Sequence, residues 1–444
     1  MKDTLFNKSD QEIELYFTEK SDIKEKNKNK YGEVFTPIPI INEMLDVLPG
    51  NIWTNPDLKW LDPAAGIGNF PAIIYMRLMK SLLKAIPDDK KRKDHILQNM
   101  IYMVEINPKN VHQIRSLFGA KVNVSLADFL QGQDKWQRDL VVKQFDIIVG
   151  NPPFQIEKYA KYNRAVGNHH TLWDQFIKKI LEHGILVDKG FLAFLTPAGW
   201  RRPESELYDL MIKQNTLKYL HIYSKDKGGE LFHIKSRFDI FVIKNGIEPK
   251  STLKIIDETG KHITGIDVKS WPFLPNSEYD IIKKILVLDK EDGIPIVFQS
   301  RMNDARTLSK KKTPRFKYPV IHSITQTGLG IMFSSTANPE QFGVSKVLLN
   351  FNERQYPYND SDGKYGMSQL TFGIIIKSRS EGDKWIRVIT SPLFERILKA
   401  TKWGAFQTDY RMFRYFNKNI INNSRFIKTQ KNRNRKNRKT MKKL

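Results

Sequence analysis

The chain of 444 residues contains no cysteine. That absence excludes disulfides, thiolate metal ligands and thiol nucleophiles, and it is compatible with a reducing compartment. Long apolar runs are missing too: nothing approaches the roughly 18 residues of a membrane span. The opening MKDTLFNKSDQEIELYF has no apolar core of a secretory signal, so no membrane partner is expected, and the protein should stay, unsecreted, in the cytoplasm or wherever its polyanionic partner resides. Acid is in short supply, with 48 Asp+Glu against 73 Lys+Arg, a net charge of +25. What is present is a chain that folds: 40% of residues are hydrophobic and 11% aromatic, which excludes a largely disordered protein. The length suits two or three domains.

The shortage of acid is uneven. Residues 1–245 carry a net +6, residues 246–424 a net +9, and the last twenty, RFIKTQKNRNRKNRKTMKKL, hold ten basic residues and no acid. Residues 1–30 read as a polar lead-in, 31–245 and 246–424 as two folded domains, and 425–444 as a disordered basic tail. Such a tail suits either a polyanion, through counterion release, or a solubilising or targeting role.

From Tyr31 to about Lys244, apolar runs alternate with helical patterns. LKWLD (58–62), IYMVEI (101–106), KVNVSLA (121–127), FDIIVG (145–150), GFLAFLTP (190–197), LKYLHIYS (217–224) and RFDIFVIK (237–244) read as strands, with amphipathic segments near 70–85, 108–118, 171–184 and 204–214. Buried apolar strands alternating with helices predict a doubly wound α/β sheet, with the last two strands as an antiparallel edge. Beyond Gly246 the rhythm breaks into strand-like pieces (STLKIID, GIPIVF, GLGIMF, SKVLLNF, FGIIIKS, WIRVIT) and a helical stretch at 391–402, predicting an irregular β-rich domain.

Four strand ends carry chemistry. DPAAGIGNF (62–70) joins a strand to a helix, where glycines admit close backbone approach and Asp62 can hold a cationic or hydroxyl group; an ordinary tight turn needs glycine as well. In VEINP, Glu105 stands where an acid accepts from two ribose hydroxyls, or else opens a surface turn. In ADFL, Asp128 and Phe129 pair an acceptor with a flat face, which suits a purine. FDIIVG runs into NPPF, where Pro152 and Pro153 stiffen the backbone. Asn151 and the Pro152 carbonyl then offer two acceptors beside the Phe154 ring, an arrangement suited to a planar amine-bearing base.

Taken in order, DPAAGIGNF, VEINP, ADFL and NPPF resemble the motifs of S-adenosylmethionine-dependent amino-methyltransferases. Upstream, YGEVFTPIPIINEML (31–45) resembles the Y-G-x-x-F-T-P element of adenine-specific DNA methyltransferases of the γ order; GFLAFLTPAGW (190–200) and LFHIKSRFDIFVIKN (231–245) resemble segments of Eco57I-type and TaqI-type enzymes. The resemblance implies a mixed sheet of the methyltransferase type followed by a target-recognition domain. It also implies that S-adenosylmethionine is the cofactor and double-stranded DNA the partner, and it leaves room for a separately encoded restriction nuclease. By the same resemblance Thr36, Pro37, Asp62, Ala64 and Gly66 hold the methionine end of the cofactor, Glu105 the ribose, and Asp128 with Phe129 its adenine. Asn151, Pro152, Pro153 and Phe154 hold the target adenine, with Phe232 on its opposite face. Two departures stand out. The interval from Asp62 to Glu105 exceeds the ~20 residues common in nucleotide-binding folds, with DDKKRKDH (88–95) expected as an inserted loop, and residues 246–424 match no family pattern.

The implied reaction needs no metal. His169 and His170 read as loop residues rather than ligands, for lack of matching partners. Two other readings share these residues: a methyltransferase acting on rRNA bases or on a protein glutamine amide, and a non-catalytic specificity protein of a modification complex. The recognition-sized region after the fold, together with Tyr31–Pro37, favours DNA.

Overall fold

The computed structural model describes residues 10–22, 35–131, 135–154, 171–232, 236–249, 252–298, 307–352, 354–404 and 408–427. The chain divides into two compact units, residues 1–200 with 205–266, and residues 201–204 with 267–444.

The first unit is built on a nine-stranded sheet: β1 (Trp60–Asp62), β2 (Ile101–Glu105), β3 (Asn123–Leu126), β4 (Phe145–Gly150), β5 (Leu186–Pro197), β6 (Thr216–Tyr223), β7 (Phe238–Lys244), β8 (Lys254–Ile256) and β9 (His262–Ile263). Their order is β3-β2-β1-β4-β5-β7-β6-β8-β9. β1 pairs in parallel with both β2 and β4, β2 with β3, and β4 with β5. β7 runs antiparallel to β5 and to β6. The predicted hairpin-like pair is therefore present but is not the edge: β7 lies between β5 and β6, and β8 with β9 extend the sheet. STLKIID, read as the opening of the second domain, supplies β8 to this sheet instead.

Helices flank these strands: α1 (Asp10–Asp22), α2 (Ile38–Asp46), α3 (Asn69–Ser81), α4 (Asp89–His95), α5 (Pro108–Phe118), α6 (Lys135–Leu140), α7 (Trp173–Glu182) and α8 (Lys225–Phe232). The continuous apolar runs of β1, β2 and β4 are buried throughout or nearly so, as strands covered on both faces must be. Two local readings change. The segment read as a polar lead-in forms α1, whose Ile13 and Phe17, one helical turn apart, are buried in the same core as α2 and α3. DDKKRKDH, read as an inserted loop, is helix α4. Asp88 accepts from the Lys91 N–H at 2.7 Å as its N-cap, and buried Arg92 donates to the carbonyls of Ile86 and Pro87.

The second unit holds two four-stranded sheets, β10-β17-β14-β15 and β11-β13-β12-β16. Their strands are β10 (Ile296–Val297), β11 (Leu308–Ser309), β12 (Tyr318–Thr325), β13 (Gly328–Ser334), β14 (Lys346–Asn350), β15 (Tyr358–Asp360), β16 (Gly366–Met367) and β17 (Thr371–Ile375). Helices α9 (Tyr279–Ile285), α10 (Arg379–Ile389) and α11 (Pro392–Ala400) accompany them. WIRVIT, read as a strand, lies almost wholly in α10. Ser378 caps the helix by accepting from Glu381 N–H at 3.2 Å, the Glu381 side chain accepts from Lys377 N–H at 2.8 Å, and Trp385, Val388 and Ile389 bury one helical face.

Candidate active site

The strand order reverses at β1, between β2 on one side and β4 on the other, the place where open α/β sheets bind ligands beyond their carboxyl ends. Asp62 ends β1, Glu105 ends β2, Asp128 follows β3 and Asn151 follows β4.

The turn after β1 is tied to the end of β2. Ala64 N–H donates to Asp62 Oδ1 at 3.1 Å, Ala65 N–H to the Val104 carbonyl at 3.0 Å, and Gly66 N–H to Glu105 Oε2 at 2.7 Å. The other oxygen, Glu105 Oε1, accepts from Asn107 N–H at 2.7 Å. Asn107 in turn caps α5 through Lys109 N–H. These two backbone donors, one from each turn, fix the carboxylate at the end of β2. Gly66 sits at φ +56°, where a side chain would be strained, and a Cβ built there meets no atom within 4 Å. The backbone of this turn thus faces open space.

Asp62 is the electrostatic peculiarity of the site. It is buried, and burial pushes its carboxyl up from 3.8 to about 8; the Ala64 N–H works the other way and the Glu105 charge adds to the rise. At Gly150 a Cβ would stand 3.0 Å from Asp62 Oδ1, so the end of β4 passes against this carboxyl.

Thr36, Pro37 and α2 reach the same edge. Buried Thr36 accepts twice: its Oγ1 from Asn151 Nδ2 and its carbonyl from Asn69 Nδ2, both at 3.1 Å. The Pro37 carbonyl begins α2, accepting from Ile40 and Ile41. Donation to Thr36 turns the nitrogen of the Asn151 amide toward α2 and its oxygen away. Pro152 is buried; Pro153 and Phe154 are half-buried. The Phe154 ring packs on Phe238 at 5.2 Å between centroids, and Phe232 packs on Phe238 at 4.9 Å.

Two expected roles look different in this setting. Phe129 is buried, its ring against Phe176 and Trp136 at 5.1 Å each, and Lys179 Nζ donates to its carbonyl at 2.7 Å. Its ring belongs to the wall of the core. Asp128 accepts from the N–H groups of Leu130 and Gln131 and shapes the loop after β3. Ile106, 39% exposed directly after Glu105, is an apolar surface at this edge that the sequence reading passed over, although VEINP contains it. Phe238, on which both Phe154 and Phe232 pack, was also passed over because it reads simply as a core strand residue. Residues 31–34, His169 and His170 lie outside the described residues.

Comparison with known proteins follows the same lines. Residues 76–228 match the Eco57I restriction-modification methylase family. That Eco57I-type segment spans Glu105, Asp128 and the whole of Asn151–Phe154; Thr36, Asp62–Gly66 and Phe232 fall outside it. The chain is similar to a protein of Mycoplasma pneumoniae described as an uncharacterized adenine-specific methylase, with 23% identity over 359 residues, 62% of this chain and 83% of that protein. Among solved structures, the Type IIL restriction-modification enzyme MmeI in complex with DNA matches 90% of this chain and 69% of its own, with a TM-score of 0.51 and 12% identity. A nuclease-deletion mutant of the Type ISP restriction-modification enzyme LlaGI, with a DNA substrate mimic, matches 82% of this chain and 52% of its own, with a TM-score of 0.52 and 11% identity. These last two are likenesses of fold. The large mixed sheet and the additional β-rich sheets are thus a fold shared with these restriction-modification enzymes.

Proposed function

We propose that the protein is an adenine-specific DNA methyltransferase that uses S-adenosylmethionine and acts on the exocyclic amine of an adenine swung out of a duplex. The observation that carries this reading is the convergence of the ends of β1, β2 and β4: the Glu105 carboxylate bound to the Gly66 turn, and the Asn151 amide bound to Thr36.

The residues fit the cofactor. Open space at Gly66 leaves room beside the backbone, the Asp62 carboxyl at the end of β1 can accept from the amino group, and Glu105 stands at the end of β2 where an acid takes vicinal ribose hydroxyls. Ile106 offers an apolar face to the adenine ring, with Asp128 and the Phe129 backbone beside it. S-adenosylmethionine, when bound, supplies a methyl group on a sulfonium.

Asn151 Oδ1 and the Pro152 carbonyl act on the target amine. An aromatic amine is a poor nucleophile because its lone pair is delocalised into the ring. Acceptors on both amine protons favour a pyramidal nitrogen, and the stiff Pro152–Pro153 backbone holds those acceptors in place. The Phe154 ring, backed by Phe238, provides the stacking surface for a base removed from its helix, with Phe232 behind that support. Residues 267–427 serve as the target-recognition unit, consistent with their surplus of positive charge. A separately encoded nuclease is a compatible partner.

The test is incubation of purified protein with methyl-labelled S-adenosylmethionine and, in parallel, duplex DNA, ribosomal RNA or a protein extract, followed by base and amino-acid analysis. Label in N6-methyladenine supports the reading; label confined to rRNA or protein, or none at all, overturns it.

A further inference from the structure

Outside the candidate active site, one carboxylate gathers an unusual set of donors. Glu43, on α2, accepts from Tyr219 OH at 3.0 Å and from His221 Nδ1 at 2.5 Å through Oε1, and from Tyr223 OH through Oε2. The three donors are alternate residues of β6, so the strand's twofold period places them on one face. Tyr219 and Tyr223 are buried, and the His221 and Tyr223 rings pack at 4.3 Å. Burial alone would raise the Glu43 carboxyl, but the hydrogen bonds from His221 and Tyr223 outweigh it and hold it below its ordinary value. Burial and the neighbouring Glu43 push both tyrosine hydroxyls well up, so they remain donors.

Each side of this cluster leads to a different part of the NPPF element. On the helix side, Glu43 lies two turns beyond Thr36–Pro37, and Thr36 accepts from Asn151. Arg77 of α3 grips the same helix, donating to Asn42 and pairing with Asp46 at 2.8 Å. On the strand side, Tyr223 stands directly opposite Phe238 in the β6–β7 ladder, and Phe238 is the ring that carries Phe154. In an antiparallel pair, opposite residues share a face.

We infer that Glu43 is a positioning residue: by clasping α2 to β6 it holds the support of Asn151 and the support of Phe154 in one fixed relation. This inference rests on the assignment of Asn151 and Phe154 to the target base. A shift of either support changes the distance between the acceptors and the stacking ring, and displacements of about 1 Å cost on the order of 100-fold in rate.

The experiment compares wild type with Glu43→Gln, which keeps the size but removes the charge and one acceptor, and with Tyr223→Phe, which removes a single hydroxyl. Three quantities are measured on the full chain: methyl transfer under saturating substrates, S-adenosylmethionine affinity by calorimetry, and hydrogen exchange at the amides of Thr36, Asn151 and Phe154. The expected result for Glu43→Gln is a kcat lowered on the order of 10- to 100-fold, cofactor affinity reduced far less than kcat, and faster exchange at those three amides. Tyr223→Phe should move the same readouts in the same direction by less, and it decides the matter if Glu43→Gln fails to fold. Wild-type kcat and exchange in the variants would overturn the inference, however far the melting temperature falls, because a purely structural role predicts lost stability alone. If wild type transfers no methyl group to adenine, the proposed activity fails separately, and the exchange measurement still decides whether Glu43 fixes both supports.

Discussion

In the sheet-bearing unit one group of buried polar side chains lies at strand ends: Asp62, Glu105, Asn107, Thr36 and Asn69 are all at or beside the carboxyl edge. In the β-rich unit such side chains are knitted into the interior. Lys346 is fully buried, donates to the carbonyls of Gln341 and Val344, and pairs with Asp360 at 2.9 Å. Buried Arg201 donates to the carbonyls of Leu274 and Pro275 and to Asn276 Oδ1, and Asn276 donates to the Lys402 carbonyl. Burying such groups costs free energy unless they are paired. The second unit uses its buried polar groups to hold an irregular core together. The first places a raised carboxyl and a backbone-bound carboxylate where the backbone faces open space, which is what a ligand site requires and a core does not.

That contrast can be broken first in the second unit, where the largest effect is expected. Lys346→Met leaves the Asp360 carboxyl buried without its cation, and removing one member of a buried pair costs about 3–5 kcal/mol. Denaturant unfolding should show that unit melting early, while S-adenosylmethionine affinity in the first unit stays as in wild type. Equal stability of the two proteins would mean that the pair does not hold the core.

In the first unit Asn151→Ala should cost activity rather than stability. Loss of one partner positioned for the transition state lowers turnover on the order of 100-fold or more, with cofactor affinity kept. Wild-type turnover would remove Asn151 from the reaction. Glu105→Ala should do the reverse, weakening cofactor binding by about 1.5–3 kcal/mol, the range for hydrogen bonds to a charged group. Unchanged calorimetry would exclude the ribose role.

Asp62 adds a pH signature. Its carboxyl titrates at about 8 in the fold against 3.8 ordinarily, so between those values the folded state holds more protons than the unfolded one. Stability from this group is complete below about pH 4, declines as pH rises and levels off above about 8. Asp62→Asn should abolish that slope, leaving the variant more stable than wild type at pH 8–9 while it binds the cationic cofactor less tightly. Melting curves from pH 5 to pH 9 check the sign; a wild type that gains stability over that range would refute the assignment.

Much of the first unit is legible in the sequence because its strands are buried on both faces: FDIIVG reads as a strand from end to end and forms one over the same residues. What escapes is whatever depends on few residues or on partners distant in sequence. Among its described side chains helix α1 turns just Ile13, Tyr16 and Phe17 to the core, so its composition looks like a polar leader. Helix α4 is almost wholly charged and is recognisable only by its Asp88 cap. WIRVIT has β-rich composition, yet it follows the Ser378 cap and continues the helix that the cap begins. The strand ends of the site were visible as motifs, but the Thr36–Asn151 bond spans 115 positions and the Glu43–Tyr223 bond 180, and no local pattern announces either.

The smallest expected effect concerns the exposed charge of the β-rich unit. Between β11 and β12 the chain runs KKKTPRFK, and Lys310, Lys311, Lys312, Arg315 and Lys317 are all exposed. No Asp or Glu occurs between Asp304 and Glu340, and none of the five cations forms an ion pair with another described residue. The loop is shaped nonetheless. Thr313 and Phe316 exchange two hydrogen bonds at 3.0 Å, Ser309 ties down Lys311, and Arg315 and Lys317 lie over the rings of Phe316 and Tyr318. Unpaired cations on a fixed loop suit phosphates, and each phosphate neutralised contributes about 0.9 to the slope of log affinity against log salt. Replacing Lys310, Lys311 and Lys312 by serine should flatten that slope by up to about 2.7 on the same count. It should weaken duplex binding at low salt and leave the methylated sequence unchanged, because phosphate contacts position without specifying. Removal of residues 428–444, measured in parallel, separates the loop from the basic tail. Identical slopes for wild type and the loop variant would show that this charge faces solvent rather than DNA, and the proposed recognition role of residues 267–427 would then need another surface to carry it.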